Sequence, residues 1–389
     1  MGKNKILFAF FTVFVVLYAC EKSEVTVPTT TIAPASERPD PFANIKTPAD
    51  NPITVTKTNL GKMLFWDPIL SGNKDVACAT CHHPDFGYAE NLDISIGSNG
   101  IGLGSTRHFQ TPNTIEFVKR NAHTVLNTAF NGMDEKYNYD PVNAPMFWDN
   151  RKKSLELQSL EPIKSLAEMR GHHFTDSTAL DSVVARLKNI VEYRQLFALA
   201  YGSESSITAE NIGKAIATFQ RTLNATNSRF DQFQRGNKTA LTDLETTGMQ
   251  LFQTIGCGNC HSGPMFSDYQ LHVLSVPDNS KLPTDKGADD TYAFRTPTLR
   301  NLTHTAPYMH SGRFTELEQV LDFYILLTTS GSSGNPNVKK EDVDPKIKQL
   351  RMQNKQAVIA FLLSLSDDNF DKSIPNKVPS LLNVGGNIK

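Results

Sequence analysis

Two short motifs have the residue types and the spacing that covalent attachment of haem requires. In each, two cysteines are separated by two residues and followed directly by a histidine. The residues are Cys78, Cys81 and His82 in CATCH, and Cys257, Cys260 and His261 in CGNCH. Two thiols at this spacing can bond to the two vinyl groups of a haem, and the adjacent imidazole can bind its iron. A four-cysteine zinc site or a redox dithiol would also use cysteine pairs, but neither explains the two histidines, so the sequence predicts two covalent c-type haems.

The first twenty residues have the pattern of an export signal. Lys3 and Lys5 precede an apolar run over residues 6–19, which is too short to cross a bilayer comfortably. The run ends in LYAC, which resembles a bacterial lipobox. It predicts that residues 1–20 are a lipoprotein signal peptide and that Cys20 is lipidated; an ordinary signal peptide with an incidental cysteine is the alternative. The Thr-, Pro- and Ser-rich stretch that follows indicates a flexible tether over residues 21–48.

The composition argues against one class of partner, nucleic acid, and against one kind of cross-link, the disulfide. The formal net charge of -1 shows no basic excess, which argues against nucleic acid as a partner. Of the five cysteines, Cys20 belongs to the lipobox and the other four to the haem motifs. No cysteine is therefore left for a structural disulfide.

The segments between the two motifs are mostly helical in pattern. Apolar residues recur at three- and four-residue steps in residues 179–197 and 209–223, whereas alternating strand patterns are few. We therefore expect a mainly α fold made of two cytochrome c-like haem domains with long loops. The N-terminal haem domain is predicted to span residues 49–215 and the C-terminal haem domain residues 216–389. No internal repeat is visible beyond the paired haem motifs.

A segment after the first haem motif could supply acid–base chemistry. Residues 147–169 contain Trp148, Gln158, Pro162 and Glu168. A peroxidase needs one iron with an accessible face and, beside it, a group that moves protons while the O–O bond breaks. The alternative is that the polar residues belong to a solvated helix face and that Trp148 is a core residue.

Longer stretches of the chain, beyond these motifs, match those of a known protein family. From about Lys57 to Asp367 the chain resembles the bacterial di-haem cytochrome c peroxidase family, which includes MauG. The matching stretches are LGKMLFWDPILSGNKDVACATCHHPDFGYAE, RNAHTVLNTAF, FWDNR, LELQSLEPIKSLAEM, SRFDQF, GCGNCHSGPMFSD and RTPTLRNLTHTAPYMHSGRFTELEQVLDFY. The resemblance implies that the N-terminal haem, with His82 as proximal ligand, is peroxidatic. The C-terminal haem, with His261, would transfer electrons.

The resemblance also implies roles for the residues of the acid–base segment. A Gln, a Pro and a Glu line the distal pocket of the family in the spacing Q-x3-P-x5-E, which Gln158, Pro162 and Glu168 reproduce. Glu168 would move the peroxide proton, Gln158 would orient the peroxide and Pro162 would limit access. Trp148 matches the tryptophan that couples the two haems.

A structural calcium ion between the haems is likewise implied by the resemblance. Its protein ligands would be the side chain of Asn121 and the backbone carbonyls of Thr305 and Pro307. Calcium accepts main-chain oxygens as ligands, so residue types alone cannot identify such a site.

One departure from many members of the family concerns the first iron. In those members a histidine follows S-I-G and blocks the peroxidatic iron until the other haem is reduced. Ser98 stands at that place here, which predicts an iron without this sixth ligand, although His108 further along the loop could substitute. The remaining histidines are interpreted as packing or surface residues: His83, His123, His172, His173, His272 and His304.

A second departure lies in PYMHSGRFTELEQVLDFY, residues 307–324. Met309, His310 and Tyr324 could each bind a metal, and many members of the family place a methionine where Tyr324 stands. Leu317, Val320, Leu321 and Tyr324 follow helical spacing, so Tyr324 is predicted to lie on the buried face of a helix. It would be the MauG-like ligand of the second iron, with a core tyrosine as the alternative. His310 would lie near the haem or calcium region, and Met309 would pack.

These expectations combine into a function. The leading hypothesis is a periplasmic, lipid-anchored peroxidase that reduces hydrogen peroxide to water, with electrons from a small redox protein such as a cytochrome c or a cupredoxin. One alternative is a MauG-like enzyme that oxidises residues of a partner protein, and another is a non-enzymatic electron carrier. Homodimers are common in the family, but the sequence has no independent signal for one.

Overall fold

The computed structural model describes residues 1–2, 40–329 and 334–389. In these residues the fold is mainly helical with long irregular loops, as predicted. The α-helices are α1 Val55–Trp66, α2 Cys78–Cys81, α3 Leu155–Gln158, α4 Glu161–Lys164, α5 Ala179–Lys188, α6 Val191–Tyr201, α7 Ala209–Gln220, α8 Arg229–Gln234, α9 Asp243–Ile255, α10 Leu317–Thr329, α11 Pro345–Lys348 and α12 Lys355–Leu363. The predicted lipobox, with Cys20, lies outside the described residues.

Short elements complete the chain. A π-helical turn covers Leu166–Arg170. Turns of 3-10 helix cover Pro68–Leu70, Pro84–Phe86, Gly104–Thr106, Thr128–Phe130, Asp176–Thr178, Glu204–Ser206, Cys257–Asn259 and Lys340–Asp342. The strands form antiparallel pairs: β1 Gly100–Ile101 with β2 His108–Phe109, β3 Pro145–Met146 with β4 Lys152–Lys153, and β5 Leu271–Val273 with β6 Ala293–Arg295. None of the described helices is long and apolar enough to cross a membrane.

The first half of the chain is organised by the crossing of α1 and α7. Gly61 of α1 lies so close to α7 that a Cβ atom there would be 2.0 Å from the carbonyl oxygen of Ala215. One turn further along each helix, Phe65 and Phe219 meet edge to face with ring centres 5.2 Å apart. Both aromatic side chains are fully buried. A glycine at the crossing therefore lets the helices approach and lets the aromatic rings fill the core.

The second half repeats this crossing with α9 and α12. A Cβ atom on Gly248 would be 1.9 Å from the carbonyl oxygen of Ala357. Phe252 and Phe361 then meet edge to face at 5.3 Å. Thr242 and Glu245 begin α9 with a capping box, in which each side chain accepts from the other residue's backbone N–H. The two halves thus share an internal structural repeat that is not visible in the sequence beyond the paired haem motifs.

The helix crossings bear on the domain boundary. The predicted boundary between residues 215 and 216 falls inside α7, which packs on α1 of the first half. We propose that the boundary lies instead in the segment after Gln220 and before α8.

The C-terminal tail lies on the first half, although it follows the second in the chain. The backbone N–H of Gly385 donates to the carbonyl of Trp66 at 2.8 Å, and that of Asn387 donates to the carbonyl of Asp75 at 2.8 Å. The hydroxyl of Thr80, in the first haem motif, donates to the carbonyl of Gly385 at 2.7 Å. The tail therefore supports the segment that carries the first motif.

Candidate active site: two haem cavities

The first CxxCH motif opens onto a cavity of about 600 Å³. Cys78, Cys81 and His82 all line it, and both thiols are free. Nδ1 of His82 lies 3.1 Å from the carbonyl oxygen of Tyr88. Because a carbonyl only accepts, Nδ1 carries the proton and Nε2 keeps its lone pair for a metal. Burial lowers the pKa of His82, which favours the neutral ring that an iron ligand requires.

The second motif repeats this arrangement in its own cavity. Cys257, Cys260 and His261 line it, and the two thiols are free. Nδ1 of His261 donates to the carbonyl of Phe266 at 2.9 Å, so its Nε2 is also left for a metal. Burial lowers the pKa of this imidazole as well. Both sites therefore fit a c-type haem: two thiols, one oriented neutral imidazole and a cavity at each motif.

The predicted acid–base residues lie on the wall of the first cavity. Gln158 at the end of α3, Pro162 in α4 and Glu168 in the π-helical turn line the same space as His82. Burial raises the pKa of Glu168, although Arg151 and Ser165 oppose this. A carboxyl group with a raised pKa on the wall of a cavity is suited to proton transfer. The structure thus brings these residues together at the cavity rather than on a solvated helix face.

The loop that contains Ser98 supports the Glu168 turn from behind. The backbone N–H of Ser98 donates to the carbonyl of Ala167 at 3.2 Å. A Cβ atom on Gly97 would be 2.2 Å from the carbonyl oxygens of Ala167 and Glu168, so the loop can approach this closely only with glycine. His108 is exposed on β2, with Nδ1 3.0 Å from the carbonyl oxygen of Thr106. Among the described residues around the first cavity, neither Ser98 nor His108 is on the wall.

Tyr324 faces the second cavity from α10. Leu317, Val320 and Leu321 of the same helix line this cavity with it, which is the helix face that the residue spacing indicated. Burial raises the pKa of the Tyr324 phenol, and Cys257 and Cys260 act in the same direction.

Two methionines share the second cavity with Tyr324. Met309 and Met352 both lie on its wall. Residue position alone therefore does not exclude a thioether ligand for the second iron.

Trp148 lies between the two cavities and lines both. Its Nε1–H donates to the carbonyl of Asn121 at 2.9 Å. Its ring stacks on His123, with ring centres 4.0 Å apart and an interplanar angle of 25°. His123 and Arg295 also line both cavities, and Arg295 Nη2 lies 3.3 Å from Nε2 of His123. The sequence assigns neither residue a role in the site: His123 falls in RNAHTVLNTAF and Arg295 begins RTPTLRN, but residue type alone does not separate them from packing residues.

His310 lies on the second cavity beside this group. It stacks on Phe294 at 3.6 Å and meets Trp148 edge to face at 6.2 Å. Burial lowers the pKa of His310 to about 3, so the ring is neutral. The structure thus places it near the second haem motif, where the sequence analysis expected it.

The predicted calcium ligands border the second cavity. Asn121, Thr305 and Pro307 all line it. Nδ2 of Asn121 donates to the carbonyls of Leu92 and Asp93 at 3.0 and 3.2 Å. This use of the amide nitrogen leaves Oδ1 of Asn121 for a cation, which suits the oxygen chemistry of calcium.

A second group of side chains contains residue types that often bind metals, but its histidine has no lone pair for a metal ion. The ligand atoms of Cys260, Asp268 and His272 lie within 4.8 Å of one another. Nε2 and Nδ1 of His272 contact carboxylate oxygens of Asp268 and Asp344 at 2.9 and 2.6 Å. Asp268, foremost among its neighbours, raises the pKa of His272 to about 10. The imidazole is therefore protonated on both nitrogens and has no lone pair for a metal.

Comparison with known proteins agrees with this geometry. Residues 55–239 match the family described as di-haem cytochrome c peroxidase. The chain is 33% identical over 334 residues to methylamine utilization protein MauG from Methylorubrum extorquens, covering 84% of this chain and 83% of that protein. It is 32% identical over 349 residues to cytochrome c551 peroxidase from Nitrosomonas europaea, covering 88% of each.

Solved structures show the same fold. A MauG-like protein associated with microbial copper homeostasis superposes with a TM-score of 0.67 at 25% identity, covering 85% of this chain and 95% of that chain. The di-haem peroxidase BthA from Burkholderia thailandensis superposes with a TM-score of 0.65 at 20% identity, covering 88% of this chain and 92% of that chain. Two relatives at over 30% identity along most of the chain, with paired haem motifs that each face a cavity, show that the chain belongs to the di-haem cytochrome c peroxidase family.

Proposed function

We propose that this protein is an exported peroxidase that reduces hydrogen peroxide to water with electrons from a small redox protein, a cytochrome c or a cupredoxin. Electrons would enter at the C-terminal haem and pass to the N-terminal haem. The C-terminal haem would be held by Cys257, Cys260 and His261. The N-terminal haem would be held by Cys78, Cys81 and His82. Each turnover would consume one hydrogen peroxide, two electrons and two protons, and release two water molecules.

The observation that carries this proposal is the make-up of the first cavity wall. Glu168, Gln158 and Pro162 line the same cavity as His82. An electron carrier has no need for a titratable carboxyl group with a raised pKa at its haem, whereas a peroxidase does. The cavity wall therefore favours an enzyme over a non-enzymatic carrier.

The side chains of the wall have separable tasks. When bound, the haem supplies the iron that exchanges electrons with the peroxide. Glu168 would take the proton from one peroxide oxygen and return it to the other, which leaves as water. Gln158 would orient the peroxide through its amide, and Pro162 would narrow the approach.

The test is peroxide-dependent oxidation of a reduced cytochrome c or cupredoxin. Glu168→Gln keeps the size of the side chain but removes its acid–base function. We expect its kcat to fall by about 10²- to 10⁴-fold, with both haems still attached. Glu161→Gln is the matched control, because Glu161 pairs with Lys164 in the same segment and is not among the described residues that line the cavity. Unchanged turnover in the Glu168 variant would remove the assigned role.

The second candidate function is oxidation of residues of a partner protein. It is supported by Tyr324 in the second cavity, because a phenolate ligand stabilises oxidised iron and lowers its potential, the opposite of a methionine. Such an enzyme would react with hydrogen peroxide but oxidise a small redox protein poorly. Rapid oxidation of the redox protein excludes this candidate, whereas a fast reaction of the oxidised protein with peroxide and no donor turnover supports it.

Two further parts of the proposal rest on the sequence pattern and the resemblance. A calcium ion would be held by Asn121 Oδ1 and the carbonyls of Thr305 and Pro307. The protein would be periplasmic and anchored to a membrane through lipidated Cys20. Mass spectrometry of the mature N-terminus checks the anchor, and elemental analysis of the purified protein checks the ion.

A further inference from the structure

The stacked pair of His123 and Trp148 connects the two haem cavities. The rings lie nearly parallel with centres 4.0 Å apart, and both residues line both cavities. Trp148 is only 8% exposed. Its Nε1–H donates to the carbonyl of Asn121. Two stacked rings, not one, therefore border both cavities.

Arg295 determines which ring nitrogen of His123 carries the proton. The guanidinium is buried, and its Nε donates to the carbonyl of Phe147 at 2.8 Å. Nη2 approaches Nε2 of His123 at 3.3 Å. Because a guanidinium only donates hydrogen bonds, Nε2 of His123 must accept, and the imidazole proton is on Nδ1. The ring that stacks on Trp148 is thus a neutral imidazole.

Arg295 also holds the partner ring in place. Its backbone N–H donates to the carbonyl of Trp148 at 2.6 Å, which ties β6 to the segment of the tryptophan. One residue therefore constrains both members of the stack, one through its backbone and the other through its side chain.

We propose that His123 is a positioning residue for electron transfer between the two haems, because its ring, stacked on the indole of Trp148, stabilises positive charge on that indole. Once hydrogen peroxide had oxidised the N-terminal site, the indole would give one electron to that site and regain one from the C-terminal site. The Nε1 proton stays on the indole, bonded to the carbonyl of Asn121. An aromatic face attracts a neighbouring cation, whereas a charged imidazole would repel it.

The magnitude follows from the energy of such contacts. The attraction between the oxidised indole and the stacked ring is lost with the ring, and the expected effect corresponds to about 0.7–1.4 kcal/mol. Each ~1.4 kcal/mol changes a rate about tenfold. Loss of the stacked ring is therefore expected to slow the transfer about three- to tenfold.

The experiment is a single-turnover measurement on the protein with both haems attached. The C-terminal haem is first reduced and then mixed with hydrogen peroxide, and the loss of its reduced absorption is followed by stopped flow. His123→Leu removes the ring, His123→Phe keeps a neutral stacked ring, and exposed His172→Leu is the control. We expect a three- to tenfold slower oxidation in His123→Leu only, with the reduction potentials of both haems unchanged.

Two outcomes would overturn the inference. One is an unchanged rate in His123→Leu, and the other is equal slowing in the Leu and Phe variants, which would show that stacking is not the cause. Should His123→Leu fail to retain both haems, His123→Gln takes its place with the same expected slowing. The inference rests on the proposed function, but absorption of the N-terminal haem separates the two failures: if that haem does not react with peroxide in the unaltered protein, the proposed function is wrong instead.

Discussion

At the scale of single residues, the haem motifs were recognisable because their chemistry is local. Two thiols and an imidazole must be close in sequence to serve one haem, so the spacing C-x-x-C-H contains most of the site. Tyr324 is different, because it stands more than sixty residues from His261 and only the fold brings it to the same cavity.

Tyr324 is predicted to control the electronic state of the C-terminal haem. Tyr324→Phe removes the phenol oxygen, and we expect the spectrum of this haem alone to change. Its reduction potential should rise by on the order of 0.1 V, within the roughly 0.8 V range over which axial ligands act. EPR of the oxidised protein and a spectroelectrochemical titration measure both effects.

Tyr308→Phe is the control for this prediction. Tyr308 lines the same cavity, but its hydroxyl donates to the carbonyl of Leu302 at 2.8 Å. Equal spectra in the Tyr324 variant and the unaltered protein would assign Tyr324 to the core and leave Met309 and Met352 as the candidate ligands.

Glu90 should make the stability of the protein depend on pH. It is 1% exposed beside Cys81, and burial raises its pKa from 4.5 to about 7. The folded protein therefore binds a proton that the unfolded chain releases between about pH 4.5 and 7. This contribution is fully present below pH 4.5 and is lost as pH rises through about 7.

Glu90→Gln tests this prediction. We expect the variant to be more stable than the unaltered protein by up to about 3 kcal/mol at pH 8, with little difference near pH 4.5. Chemical denaturation across this range measures it, with exposed Glu341→Gln as the control. Parallel stability curves for the Glu90 variant and the unaltered protein would contradict the prediction.

At the scale of elements, the repeated helix crossing organises each haem domain. The glycine and the aromatic residue four positions later are Gly61 and Phe65 on α1, and Gly248 and Phe252 on α9. Neither pair is an evident repeat in sequence, because two residues four apart are common in any helix. Their equivalence depends on the partner helices α7 and α12, which are distant in the chain.

Substitution of either glycine is expected to destabilise its own half. Gly61→Ala or Gly248→Ala places a Cβ atom about 2 Å from a partner carbonyl, so the helices must separate. The expected cost is about 1–3 kcal/mol for each variant, measured by thermal or chemical unfolding. Thr247→Ala, at an exposed position of α9, should stay within about 0.5 kcal/mol. A glycine variant as stable as this control would show that the crossing is looser than the geometry indicates.

At the scale of the whole molecule, the protein is a di-haem peroxidase whose last residues complete its first half. The tail bonds to Trp66, Asp75 and Thr80, around the segment that leads into the first haem motif. Residues 385–387 therefore pack on the first half of the chain.

Removal of residues 383–389 should destabilise the first half selectively. Five hydrogen bonds connect this tail to the first half and contribute roughly 1 kcal/mol each, so we expect a loss of about 5 kcal/mol. Thermal unfolding followed at the absorption of each haem distinguishes the halves. Leu381→Ser, at a position 79% exposed just before this tail, is the control and should have little effect. Equal destabilisation of both halves would contradict the selective role of the tail.

The sequence by itself determined the cofactor type, the helical class, the acid–base candidates and the face of α10 that bears Tyr324. These follow from short spacings between residues, which do not depend on how the rest of the chain folds. Tertiary structure alone decided what depends on residues far apart in the chain: the stack of His123 on Trp148, the contact of Arg295 with both, the repeated helix crossing and the return of the tail to the first half. No local pattern encodes these contacts, because each arises from the packing of segments that are separated in sequence.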